Sequence, residues 1–262
     1  MSRTTQVMTF IVAMAVVPAL AAAQGNGQRG RTYQEHDAAT RTTFTATTDA
    51  AGNAVLTLKG GDFVLEKVVA HTGDATLRLS QGKDVVTIAL SQSGFQVARG
   101  QKAVRVDPRS DNEDKIDAVR SVLLGSQAVR SFRRLVASLE ERDEREEDGP
   151  LAVSALVDGA IVQLLDGDAE AARRIAKRIT RKQRAGLRVV KARRAPATFV
   201  DCIGSYEFAL MSAITEYETC RVDATGYYWW NRHLVYKLCD WEWAIRSQQY
   251  VWQFISCFMF PW

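Results

Sequence analysis

Between residues 54 and 106 apolar side chains recur at every second position. Leu56 and Leu58, Leu77 and Leu79, and Val86, Ile88 and Leu90 fall on one parity, while Thr57, Arg78 and Thr87 fall on the other. A period of two puts alternate side chains on opposite faces of a strand, one toward a core and one toward water. The runs 54–58, 63–66, 75–79, 85–90, 95–97 and 103–106 are separated by Gly52-Asn53, Gly60-Gly61, Gly73-Asp74, Gly82, Gly94 and Gly100. Short alternating runs with glycine at each reversal predict an antiparallel β-meander of six or seven strands over 43–106. Its apolar face needs a cover.

After Asp107-Pro108 the period lengthens. Ile116, Val119, Leu123, Val129, Phe132, Leu135, Val136 and Leu139 fall mostly three or four residues apart. That spacing predicts one bent or two short amphipathic helices, with the break near Gly125-Ser126. The stretch 140–148 holds seven acids and two arginines and is closed by Gly149-Pro150, so it reads as a solvated helix end and loop. Two further helices are expected, at 151–165 and, capped by Asp168, at 169–184. The second is basic, and together with its continuation it places eleven positive charges within 22 residues, from Arg173 to Arg194. A run of this kind is either a solvated face or a surface for anions.

The last part of the chain, 196–262, is set by four cysteines. Cys202 and Cys220 are 18 residues apart, as are Cys239 and Cys257. At ~3.6 residues per turn, 18 residues are about five turns, so each pair marks both ends of one helical face. The residue numbers also pair to a common sum of 459. In an antiparallel helical hairpin turning between Trp229 and Trp230, Cys202 then meets Cys257 and Cys220 meets Cys239. Four cysteines allow three pairings, and the hairpin favours this one. Tyr206, Ala209, Ala213 and Tyr217 are expected along one side of the seam and Trp243, Tyr250 and Phe254 along the other. Arg246 falls on the seam about a turn from Glu216, which makes a buried ion pair of the two an expectation. All six tryptophans lie in the last 34 residues. Two helices have too much outer surface to bury so many rings, so some are expected against the rest of the protein and others, at the tip Tyr227, Tyr228, Trp229 and Trp230, against a partner. The shape resembles small twin-cysteine helical hairpins in architecture only.

The amino terminus reads as a secretory signal. Arg3 precedes an apolar run from Val7 to Leu20, and Ala21-Ala22-Ala23 offers a cleavage site, so residues 1–23 are expected to be removed, leaving about 239 residues. Export to a periplasmic or extracellular space favours disulfides, whereas the Cys-x2–4-Cys spacing of zinc sites is absent. Residues 24–42, rich in Gly, Gln, Arg and Thr, are expected to form a flexible leader. Residues 107–195 make the helical region between meander and hairpin.

Chemistry is sparse. The chain carries no metalloprotease, nucleophile-elbow, phosphate-loop or dinucleotide motif, and its three histidines, His36, His71 and His233, are scattered. Glu207, Glu216, Glu218, Asp240 and Glu242 surround the hairpin, where they either serve a carboxylate-based hydrolase or keep an apolar module in solution. The net charge of +4 is too small to select a partner. The expectation is an α+β protein: an N-terminal antiparallel β-meander covered by helices, followed by a disulfide-clipped helical hairpin. Its role is read as non-catalytic binding or structure, with no cofactor, no metal, no membrane span after signal cleavage and no nucleic acid. A protein partner or an anionic surface is the expected contact. Release of the segment from about 195 to 262 as an effector peptide, by cleavage at Lys191-Ala-Arg-Arg194, is the alternative, beside the hydrolase.

Overall fold

The computed structural model describes residues 32–107, 113–142, 149–190, 197–226 and 229–259. Within them, eight strands follow one another as a single antiparallel meander: β1 (Tyr33–Asp37), β2 (Thr42–Thr48), β3 (Ala54–Gly60), β4 (Phe63–Val69), β5 (Ala75–Gln81), β6 (Asp84–Ser91), β7 (Gly94–Arg99) and β8 (Lys102–Val106). The strands keep the parity of the sequence across the whole sheet. One inward row runs Phe44, Leu58, Leu65, Leu79 and Val86, and the next runs Ala46, Leu56, Lys67, Leu77, Ile88 and Val97. All of these are buried.

The flexible leader expected over 24–42 is corrected in its second half, where β1 forms. An edge strand needs little core of its own, because pairing with β2 satisfies its backbone: Tyr33 lies opposite Ala46 and Asp37 opposite Thr42. Tyr33 packs against the core, and Arg142 pairs with the Asp37 carboxylate. The signal at 1–23 and the rest of the leader, 24–31, lie outside the described residues.

Helices cover the apolar face. They are α1 (Glu113–Gly125), α2 (Gln127–Glu140), α3 (Pro150–Leu165), α4 (Ala169–Val190), α5 (Ala197–Asp223) and α6 (Trp229–Met259), with a 3₁₀ turn at Ala224–Gly226 between the last two. The amphipathic segment after 107 is two helices rather than one bent helix. Ser126 separates them, accepting at its side chain a hydrogen bond from the Val129 amide as the N-cap of α2. Its buried stripe, Val129, Phe132, Leu135, Val136 and Leu139, matches the three- and four-residue steps of the sequence. The helix α3 differs, being buried at every position from 151 to 162. A helix apolar all round belongs at the centre of a fold, and α3 packs against α2, α4, α6 and the strand β2. Gly159 permits the approach of α2, since a Cβ there would meet Val136 Cγ2 at 2.6 Å. Gly73, at φ +87°, does the same for α6, where a Cβ would meet the Ile245 carbonyl oxygen at 2.8 Å.

One carboxylate joins sheet to helices. Asp84, the first residue of β6, accepts hydrogen bonds from Ser126 Oγ at 2.7 Å, the Gln127 amide at 2.7 Å and the Ala128 amide at 3.1 Å, and pairs with Arg99. It therefore anchors the N-terminus of α2, where a negative charge meets unpaired N–H groups and the positive end of the helix dipole. Burial pushes its carboxyl up, but the hydrogen bonds from Ser126, Ala128, Arg99 and Gln127 outweigh that and hold it at about 2. A carboxyl depressed in the fold stabilises it above the unfolded value, about 3.9, and the contribution is lost as pH falls toward 2. We expect Asp84→Ala to cost about 2 kcal/mol at neutral pH. In acid titrations the gap between wild type and variant should close between about pH 4 and pH 2. A gap independent of pH would remove the charge from the account.

Candidate functional site

The central inward row of the sheet carries a lysine. Lys67 has the parity of Phe63, Leu65 and Val69 on β4, so the strand drives its side chain into the core between Leu56 and Leu77. It is 0% exposed. Asp158, at the middle of α3, meets it at 2.7 Å between Nζ and Oδ1. Ser154, one turn earlier on the same helical face, accepts a second hydrogen bond from Nζ at 3.3 Å. Gln248 of α6 donates from Nε2 to the same Asp158 oxygen at 3.2 Å. The sheet, the central helix and the hairpin thus meet at one polar cluster. Burial pushes the Lys67 ammonium down and the Asp158 carboxyl up, and each is opposed by the charge of the other.

A lysine beside a serine and an aspartate has the composition of a catalytic group, so access decides the matter. The adjoining cavity, lined by Phe44, Leu58, Leu65, Lys67, Ser154 and Asp158 among others, measures about 10 Å³. That is room for about one water molecule. No substrate reaches Ser154 or Lys67 in this state, and the cluster acts as a buried bolt. Its signal lay in the sequence, in the parity of Lys67 and in a lone aspartate within the apolar run 151–165.

The hairpin is the second candidate. The helices α5 and α6 are joined by Cys202–Cys257 and Cys220–Cys239, with Cα–Cα distances of 5.8 and 5.9 Å. Aromatic pairs fill the seam between the clips: Tyr206 on Phe254 at 4.9 Å and Tyr217 on Trp243 at 5.5 Å between ring centroids. Other rings leave the hairpin for the sheet. Trp241 packs on Phe95 at 5.5 Å, Trp252 lies against His71 at 6.0 Å, and Trp252 Nε1 donates to the Gly52 carbonyl at 3.0 Å. Much of the aromatic cluster is therefore spent on docking α6 to the protein's own sheet. Tyr227 and Tyr228 lie outside the described residues, as do the side chains of Trp229 and Trp230.

Arg246 pairs with Glu216 across the two helices and with Glu242 at 2.7 Å along α6. The pairing is not buried, as a seam position implied: the three side chains are 43%, 51% and 60% exposed. The seam is filled by Ala213, Tyr217 and Trp243, which leaves Arg246 on the open side. There the ion pairs border a cleft of about 160 Å³ floored by Cys220–Cys239 and Trp243. A second, unforeseen group sits beside it. Arg221 pairs with Asp240, donates to the Tyr217 hydroxyl at 3.2 Å and lies 4.6 Å from the Tyr236 ring centre. Burial pushes the Asp240 carboxyl up against the opposing pull of Arg221.

Glu216 and Glu242 converge on one guanidinium, which occupies the space between them, and the cleft is below the ~300 Å³ at which small-molecule sites begin. Two open grooves of about 450 and 490 Å³ flank α2, lined in part by Arg134. Among the described residues no group of three His, Cys, Asp or Glu side chains could hold a metal ion, and no helix is long and apolar enough to cross a membrane.

Removing one partner of the bolt strands the other as a buried charge, so Lys67→Ala or Asp158→Ala should each cost about 3–5 kcal/mol in denaturant unfolding. Replacing both, as Lys67→Met with Asp158→Leu, should cost less than either single change. Additive losses in that cycle would show that the two side chains do not act as a pair.

No known protein family, curated protein or solved structure matches the chain.

Proposed function

We propose that this is an exported, non-catalytic binding protein in which the sheet and α1–α4 form a scaffold and the disulfide-bonded hairpin presents a contact surface to a protein partner. The observation that carries this reading is the outer face of α5. Phe208 is 69% and Val222 63% exposed, and 14 residues, close to four turns, put them on the same side of the helix. Between them stand Thr215 and Thr219, whose hydroxyls donate back to the Met211 and Thr215 carbonyls at 2.9 Å each. Hydroxyls satisfied in this way leave their methyl groups to the solvent. The result is a narrow apolar ridge of about 21 Å, more exposed than folding requires.

Export rests on the signal-like start, and the two disulfides fit an oxidising compartment, periplasmic or extracellular. Release of the hairpin as a peptide is the weaker reading. Its rings and Gln248 are built into the core of the remainder, so release would strip the sheet of Trp241 and Trp252 and the bolt of one ligand. The cleavage motif at 191–194 lies outside the described residues.

Exposed residues contribute little to stability, so the double variant Phe208→Ser/Val222→Ser should unfold within about 0.5 kcal/mol of wild type for each change. In cross-linked extracts of the source cells the wild-type chain should run as a complex and the variant at its own mass; identical profiles would sink the reading. Intact-mass measurement of the exported chain should give one species of about 239 residues with no alkylatable thiol before reduction. A species ending near residue 194 would favour processing instead.

A further inference from the structure

We propose that the groove between α2 and the turns at one end of the sheet binds a small zwitterion, an amino acid or a short peptide with both termini free. The groove exists because the inward face narrows at that end. Thr42, Gly60, Phe63 and Gln81 stand opposite one another on β2 to β5, and the first two are small where the neighbouring row carries Phe44 and Leu58. The helix α2 lies mainly over β4, β5 and β6, so space is left above the ends of β2 and β3. Gly60 keeps it open, since a Cβ there would press on Thr42 Oγ1 at 3.0 Å and on the Phe63 ring at 3.1 Å. The groove measures about 450 Å³, within the range of small-molecule sites.

Its lining carries one charge of each sign over an apolar floor. Phe63 and Leu135 form the floor and are buried. Arg134 of α2 and Asp62 of the β3–β4 turn are both exposed on it, and among the described residues neither forms an ion pair, with the other or elsewhere. Arg142, a further cation of the lining, is neutralised by Asp37. Arg134 is held ready: its Nη2 donates to Ser131 Oγ at 2.9 Å, and that hydroxyl donates to Gln81 Oε1 at 2.8 Å. The other guanidinium donors of Arg134 and the amide N–H groups of Gln81 have no partner among the described residues. A guanidinium fixed in this way receives a carboxylate through paired charge-assisted hydrogen bonds, and Asp62 receives an ammonium. A simple anion would meet Asp62 and a simple cation Arg134, while Phe63 is too deeply buried to serve a sugar as a stacking platform. A molecule with both charges on an apolar body satisfies all three features. The site shares no residue with the ridge of α5 and stands without it.

Purified full-length mature protein titrated with the dipeptide alanyl-leucine should show saturable shifts of the backbone amides of Gly60, Gly61 and Ser131. The N-acetyl dipeptide, which lacks the ammonium, and the dipeptide amide, which lacks the carboxylate, should each bind at least about tenfold more weakly, the loss of one charge-assisted contact. Each loss should map to one residue. Asp62→Asn should weaken binding of the free dipeptide but not of its N-acetyl form, and Arg134→Gln should weaken the free dipeptide but not its amide, both with unchanged thermal unfolding. Free leucine carries the same two charges closer together, so its affinity relative to the dipeptide reports the separation the groove takes. Phe208→Ser/Val222→Ser should bind the dipeptide as wild type, so that failure of the hairpin reading and failure of this one are told apart. Folded wild type that binds neither alanyl-leucine nor leucine, equal binding of free and blocked peptides, or binding that neither charge variant weakens would each overturn the proposal. So would tighter binding of inorganic phosphate than of either zwitterion.

Discussion

A buried lysine in the central row of the sheet constrains everything laid over it. Lys67 stands between Leu56 and Leu77, with apolar neighbours along its row, and only Asp158 of α3 neutralises it. Sliding α3 by one turn would separate the two and leave both charges in a dry interior, at a cost of several kcal/mol for each. Apolar packing alone discriminates poorly here, because Leu151, Leu156, Val157, Ile161 and Val162 give α3 an apolar surface on all sides. The pair supplies the register that the hydrophobic effect leaves loose. Gln248 extends the same constraint to α6, so one carboxylate fixes the helix over the sheet and the hairpin over both.

That division of labour explains what the sequence displayed and what it concealed. The inward rows, the break at Ser126 and the aromatic seam are local periodicities, and each appears as spacing. The cysteine pairing appears too, because a hairpin is symmetric about its turn. β1 leaves no apolar alternation in the sequence, because an edge strand borrows its order from β2 through backbone pairing. Asp84 as the anchor of α2 was equally invisible, since its partners lie more than forty positions away. Lys67 is legible in parity, one residue beyond the apolar run that ends at Glu66. Arg246 and Glu216 were placed together by the helical register, but exposure depends on which rings fill the seam, and spacing is silent on that.

The polar cluster at the centre of the described residues is engaged within itself. The cavity beside the bolt admits about one water, and the hairpin cleft is bordered by ion pairs that engage one another. The structure pairs its central buried charges within the core and leaves the ridge of α5 outside. The aromatic content of the last 34 residues, which in the sequence suggests a binding patch, is largely structural where it is described. Trp241, Trp243 and Trp252 are fastened within the protein, while Phe208 on the other helix is exposed.

The two clips take on their meaning from this asymmetry. The helix α6 is held by the sheet, by α3 and by the Gln248 hydrogen bond, and its position does not depend on cysteine. The main contacts of α5 are with α6 and α4, and its outward side is exposed at Phe208, Thr215, Thr219 and Val222. Each disulfide is worth on the order of 3 kcal/mol, less for the second one closed, and both act on the helix with fewer other attachments. They sit at opposite ends of α5, about 27 Å apart, so the helix can neither swing about one clip nor slide along its partner. A ridge fixed in this way loses little conformational freedom when it is covered. That is the property a contact surface needs if a narrow apolar ridge of about 21 Å is to support binding.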